Sequence, residues 1–101
     1  MISRHWSCRI KREEEGNYVK YLQEEILPHL STLDGFLGAS INRREVGDFP
    51  EYLFISKWTS KETIRAFSGE HIQFAVVSEK AQNMMHSFDQ EVWHYELIDS
   101  V

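Results

Sequence analysis

Five histidines stand at positions 5, 29, 71, 86 and 94 of a 101-residue chain. An imidazole titrates near neutral pH, so a histidine that reaches a pocket is a candidate proton acceptor. None belongs to a His-x-x-x-His or comparably close pair, and these residue types call for no metal site. His94, in the terminal stretch "VWHYEL", and His71, just past Gly69, are the two candidate bases. Arg4 carries the other chemistry. It shares a strand parity with Ile2, Trp6 and Cys8. A guanidinium on an apolar face needs an acceptor, either an internal carboxylate or an anionic or phenolic ligand. Trp6, Trp58 and Phe67 offer aromatic area for a pocket wall, although Trp58 serves equally well as a core plug. No Ser-His-Asp order, phosphate-binding glycine loop or dinucleotide fingerprint is present.

The elements that would position these residues follow from periodicity. Residues 2 to 10 alternate, with Ile2, Arg4, Trp6, Cys8 and Ile10 on one side, which predicts a strand. From Glu13 to about Leu27 the spacing turns helical: Tyr18, Leu22 and Ile26 stack, and Glu13-Glu14-Glu15 suits the positive end of the helix dipole. Pro28 should stop or kink that helix. Strands are expected at 36–44 and 52–58, joined by "EVGDFPE". Gly38 and Ala39 are small enough to allow a close approach. Thr59-Ser60-Lys61-Glu62 has capping-box form, and Ile64, Phe67 and then His71, Phe74 or Ala75 continue a helical face that Gly69 divides. Residues 78–90 are polar and poorly periodic, and residues 91–98 close the chain as a strand.

The order β-α-β-β-α-β is the α+β, split βαβ ferredoxin-like arrangement, an antiparallel sheet with both helices on one face, filling a single domain over 1–101. Residues 52–58 and the last strand carry bulky side chains on both parities, so a second copy of the chain is the expected cover for the other face. The net charge is −5, and the only basic cluster is Asn42-Arg43-Arg44, which argues against nucleic acid or an anionic membrane as partner. One cysteine, Cys8, excludes an internal disulfide and suits a buried filler in a reducing compartment. No apolar run approaches a membrane span and no signal peptide is evident, so a cytoplasmic protein is expected.

"SRHW" in the first strand, "LFISKWTSKETIRAFSGE" in the middle and "VWHYEL" at the end resemble the antibiotic biosynthesis monooxygenase family over nearly the whole chain. The strand-Trp-Ser-helix-Phe portion is the most specific. The resemblance implies a homodimeric α+β barrel with a pocket between each sheet and its helices. It also implies a cofactor-independent oxygenase acting on a small planar aromatic or phenolic substrate. Trp58 matches the strand-end tryptophan of the quinone-forming members, while Phe54 stands where they carry an asparagine. In the haem-degrading branch the corresponding tryptophan and histidine are Phe67 and Val77 here, and residues 2–10 contain no asparagine, so haem ligation is not expected. The implied roles are Trp6, Trp58 and Phe67 as walls, His94 or His71 as base, and Arg4 steadying a substrate anion. The alternative is a non-catalytic homodimeric module that binds a small ligand or none.

Overall fold

The alternating N-terminal residues form β1 (Ile2–Ile10), whose inward side chains Ile2, Arg4, Cys8 and Ile10 are all buried. The structure is a computed structural model describing residues 1–101. A continuous helix, α1, follows over residues 12–30. It opens with a 3-10 turn (Arg12–Glu14) and passes through a π turn (Leu22–Ile26), where the Leu27 N–H bonds the Leu22 carbonyl. Pro28 does not stop this helix, which runs on to Leu30. The widened turn just before it gives the pyrrolidine ring the room that a regular turn would deny.

The hairpin of β2 (Phe36–Val46) and β3 (Phe49–Trp58) turns at Gly47-Asp48, so both strands are longer than periodicity indicates. Pro50 sits inside β3, yet the pairing with β1 ends at Glu51, so its missing N–H breaks no bond on that side. Gly38 marks a register shift in β2, and a side chain there would meet open space; no close approach explains it within one chain. Gly35 is the constrained glycine: its φ is +87°, and a Cβ would lie 2.4 Å from the Thr63 side chain.

Helix α2 (Lys61–Ser68) starts at Ser60 without a side-chain cap, so the capping box does not form. Gly69 (φ 81°) ends it, and residues 70–77 run on as a non-helical strap instead of continuing the helical face. A short helix α3 (Glu79–Gln82) and strand β4 (Met85–Phe88) come from the segment read as aperiodic, and the closing strand β5 is only Trp93–Glu96. Four residues are too few to display a period.

The sheet order is β2-β3-β1-β4, every pair antiparallel, and β5 shares the outer edge of β1 with β4. β4 pairs residues 8–10 and β5 pairs residues 2–5. This is the ferredoxin-like arrangement with its fourth strand in two pieces. The helices cover one face and form two separate cores with it. Cys8, Ile10, Tyr18, Leu22, Tyr52, Ala81, Met84 and Met85 pack at one end. Ile2, Leu30, Trp58 and Ile64 pack at the other. The middle of the face lies between them.

Candidate functional site

Between the two cores lies a cavity of about 70 Å³, floored by Arg4, Trp6, Phe54 and Ser56 of β1 and β3. Tyr18, Tyr21, Leu22 and Ile26 of α1 wall one side, and Phe67 lines it with Ala75–Val77 of the strap and Ser78, the residue that caps α3. The π turn supplies two of these residues, Leu22 and Ile26, consistent with the frequent use of such turns at functional positions. A water needs roughly 10–15 Å³ and a benzene ring about 150 Å³, so the cavity holds a polar head group as it stands and admits a ring only if the strap yields. The strap is tied down along its length. Its backbone bonds include Ala75 N–H to Gln90 O and Val92 N–H to Gln73 O, and the Tyr21 hydroxyl meets Ser78 Oγ at 3.0 Å. Phe74 and Val76 on it are exposed.

A polar row crosses this apolar floor. His94 on β5, Arg4 on β1 and Ser56 on β3 are successive cross-strand partners facing the helices. Arg4 is 5% exposed and has no carboxylate within ion-pair distance, so the internal-carboxylate expectation fails. Its Nη1 donates to the Ile72 carbonyl at 2.6 Å and to His94 Nε2 at 2.9 Å. Nε and Nη2 make no protein bond. Since no buried side-chain nitrogen is orphaned, those two atoms touch open space, and Arg4 borders the cavity. Burial lowers the Arg4 pKa to about 10, which leaves it a cation at neutral pH.

His94 is tied to that cation. Burial first, then the charges of Arg4 and Lys61, push its pKa down to about 4, so near neutrality it is an uncharged acceptor for Arg4. Its Nε2 lone pair is therefore engaged, and His94 is not among the residues lining the cavity. His71 is exposed on the strap near Phe74 and does not reach the cavity either.

The aromatic candidates separate. Trp6 lines the cavity, with its indole N–H donating to the Asp89 carbonyl at 2.7 Å. Phe67 lines it as well. Trp58 does not: it is fully buried, edge-on to Phe36 at 5.4 Å between centroids and tilted against Phe67 at 6.5 Å. Its indole N–H donates to Ser56 Oγ at 2.9 Å. Ser56 escaped the sequence reading. The available signal was a lone small polar residue two before Trp58, on the same face of an otherwise bulky strand. Tyr18, whose hydroxyl accepts a weak bond from the Cys8 thiol at 3.3 Å, had been read only as part of a helical stripe. Burial raises the Cys8 pKa to about 11, which fits an inert filler.

Three solved structures share this architecture. A candidate antibiotic biosynthesis monooxygenase from Bacillus cereus superposes with a TM-score of 0.67 at 15% identity, covering 100% of this chain and 96% of its own. A point mutant of MhuD, with two manganese protoporphyrin IX molecules bound per active site, gives a TM-score of 0.71 at 15% identity, covering 100% and 98%. A dimeric ferredoxin-like protein from an uncultured marine organism gives 0.60 at 14% identity, covering 99% and 95%. No protein-family model and no curated protein sequence matches the chain. Fold and site thus define an α+β ferredoxin-like protein with a cavity between sheet and helices. At these identities the likeness to the monooxygenase and to MhuD is one of fold.

Haem does not fit the residues present. Phe67 and Val77, the positions the family resemblance equates with the tryptophan and histidine of the haem-degrading branch, both line the cavity, and no histidine does. The lining therefore offers iron no imidazole.

Proposed function

We propose that the protein binds a small, flat organic anion in the central cavity and that its activity is cofactor-independent oxygenation of a phenolic substrate. The observation that carries the binding half is Arg4, a buried cation that lines an apolar cavity, with no carboxylate partner and two nitrogens that bond no protein group. A charge in such surroundings is far better satisfied by an opposite charge than by apolar neighbours. Arg4 favours the phenolate of a bound phenol, which is the electron-rich form that reacts with oxygen. His94 steadies Arg4 instead of taking a proton, and the phenol's proton leaves to solvent. One oxygen atom of O2 then enters the ring as the second quinone oxygen and the other leaves as water, the substrate supplying all four electrons. Trp6, Phe54 and Phe67 provide the flat apolar surroundings.

The fold likeness supports this reading, as does the dimeric state of one of the similar structures. Homodimerisation would proceed through the sheet face away from the helices, where Trp93 (60% exposed) and Tyr95 (55% exposed) stand beside His5, Leu53 and Ile55. Sedimentation at micromolar concentration should give about twice the chain mass. The absence of any free base in the lining favours a second reading, a binding module without catalysis. Oxygen uptake measured with a panel of one- and two-ring phenols separates the two. Uptake abolished by Arg4→Met supports the oxygenase, and binding without uptake across the panel leaves only the binding module.

A further inference from the structure

We infer that the charged group of the ligand is a carboxylate, bridged between the free nitrogens of Arg4 and the hydroxyl of Ser56, with Trp58 as the positioning residue that aims that hydroxyl. This rests on the reading of the cavity as an anion-binding site and makes the substrate a phenol that also bears a carboxylate, the carboxylate being the group that Arg4 touches.

Ser56 is 3% exposed and lines the cavity. An indole N–H can only donate, so in the 2.9 Å bond with Trp58 the Ser56 oxygen is the acceptor. The hydroxyl proton of Ser56 must then point elsewhere, and it meets no protein acceptor. The open direction is the cavity. Arg4 and Ser56 are direct cross-strand partners on the same face, which places their Cβ atoms about 4.5–5.5 Å apart. Both residues line the cavity, so donors from two adjacent positions face the same space.

A carboxylate fits that spot, because its two oxygens accept in about four directions and can take Arg4 on one side and Ser56 on the other. A phenolate has a single oxygen, which Arg4 alone satisfies. A phosphate dianion would meet one cation only and leave its second charge against apolar walls. The third polar residue of the lining, Ser78, offers no help, since its hydroxyl already caps Ala81 N–H and meets Tyr21. The remaining 13 lining residues are hydrophobic, so the ligand carries one polar end and an apolar body. Trp58 thus acts on the ligand without touching it.

The test uses the full chain and two probes, 4-fluorobenzoate and 4-fluorophenol, titrated by fluorine NMR. The carboxylate should bind more tightly than the phenol. Ser56→Ala should weaken 4-fluorobenzoate by about tenfold or more, the range for a hydrogen bond to a charged group, and leave 4-fluorophenol unchanged. Ser56→Thr, which keeps the hydroxyl, should restore affinity. Trp58→Phe should weaken the carboxylate alone, since the serine proton is then free to turn away. Because Ser56→Ala leaves a buried indole N–H unpaired, the double variant Ser56→Ala with Trp58→Phe supplies a form without that orphan, and it should show the same loss. Wild-type affinity of Ser56→Ala for 4-fluorobenzoate, or tighter binding of the phenol, overturns the bridge. If both probes bind through Arg4 and Ser56→Ala alters neither, the bridge is wrong while the anion cavity stands. If neither probe binds, both are wrong.

Discussion

The two ends of the helix-covered face treat their polar atoms differently from its middle. Around Trp58 the packing is closed: the indole is wholly buried, its one donor is spent on Ser56, and Ile2, Leu30 and Ile64 fill the space around it. At the Tyr18 end the Cys8 thiol donates to the phenol oxygen inside a core of eight buried residues. The middle is unfinished by comparison. Arg4 keeps two nitrogens and Ser56 one proton without a protein acceptor, beside a void of about 70 Å³. Two well-packed ends hold an under-satisfied middle open, which is how a small fold maintains a site that would otherwise collapse.

Substitutions at the two tryptophans of this face should break that comparison most visibly. Trp58→Ala removes a fully buried indole and should cost about 3–5 kcal/mol in denaturant unfolding, the range for large-to-small changes in a core. Trp6 borders the void and is only half-buried, so Trp6→Phe should cost about 1 kcal/mol or less while weakening ligand binding severalfold. Equal losses of stability at the two positions would show that the middle is as tightly packed as the ends.

A smaller effect should appear with pH. His94 has a folded pKa of about 4 against an ordinary 6.5, so between those values the unfolded chain binds the proton more readily. Its contribution to stability is complete above about 6.5 and is lost as pH falls toward 4. With the ring partly exposed, the amount is about 1 kcal/mol after allowing for solvent screening. His94→Gln should flatten that part of the stability profile. It should leave the lower-pH loss from Glu15 and Glu45, whose arginine partners hold their carboxyls below the usual range. The smallest effect belongs to the surface. Arg12→Gln breaks an exposed pair with Glu45 and should leave the melting temperature unchanged.

The fold was legible because its long elements carry clean periods. Residues 2–10 alternate, the Tyr18-Leu22-Ile26 stripe recurs every four residues, and "YLFISKW" hands over directly to a helix. The pieces that were not legible are short or context-made. β4 is four residues long and pairs only because α3 delivers it to the edge of β1. The π turn that carries α1 past Pro28 leaves no mark in the apolar pattern. Of the site, Arg4, Trp6 and Phe67 were found by parity and resemblance, and they do meet at one cavity. Trp58 and His94 reach it through Ser56 and Arg4, an indirect role that spacing cannot reveal. His71 was drawn in by a helix that Gly69 ends too soon. Ser56 was missed because a serine in a strand looks unremarkable until its cross-strand partner is known to be a buried arginine.

The account rests on Arg4 being a cation held for a ligand and not for the fold. Arg4→Met, followed by calorimetric titration with 4-fluorobenzoate and by thermal denaturation, tests this most directly. Removing a buried charge that lacks an ionic partner offsets the cost of leaving the Ile72 carbonyl and His94 Nε2 without their donor, so the melting temperature should fall by only a few degrees and the chain should stay folded. The same change should reduce affinity by about a hundredfold, the value of a charged hydrogen-bonded contact in an apolar site. A variant that unfolds, or one that binds the carboxylate as well as the natural chain does, would contradict the account.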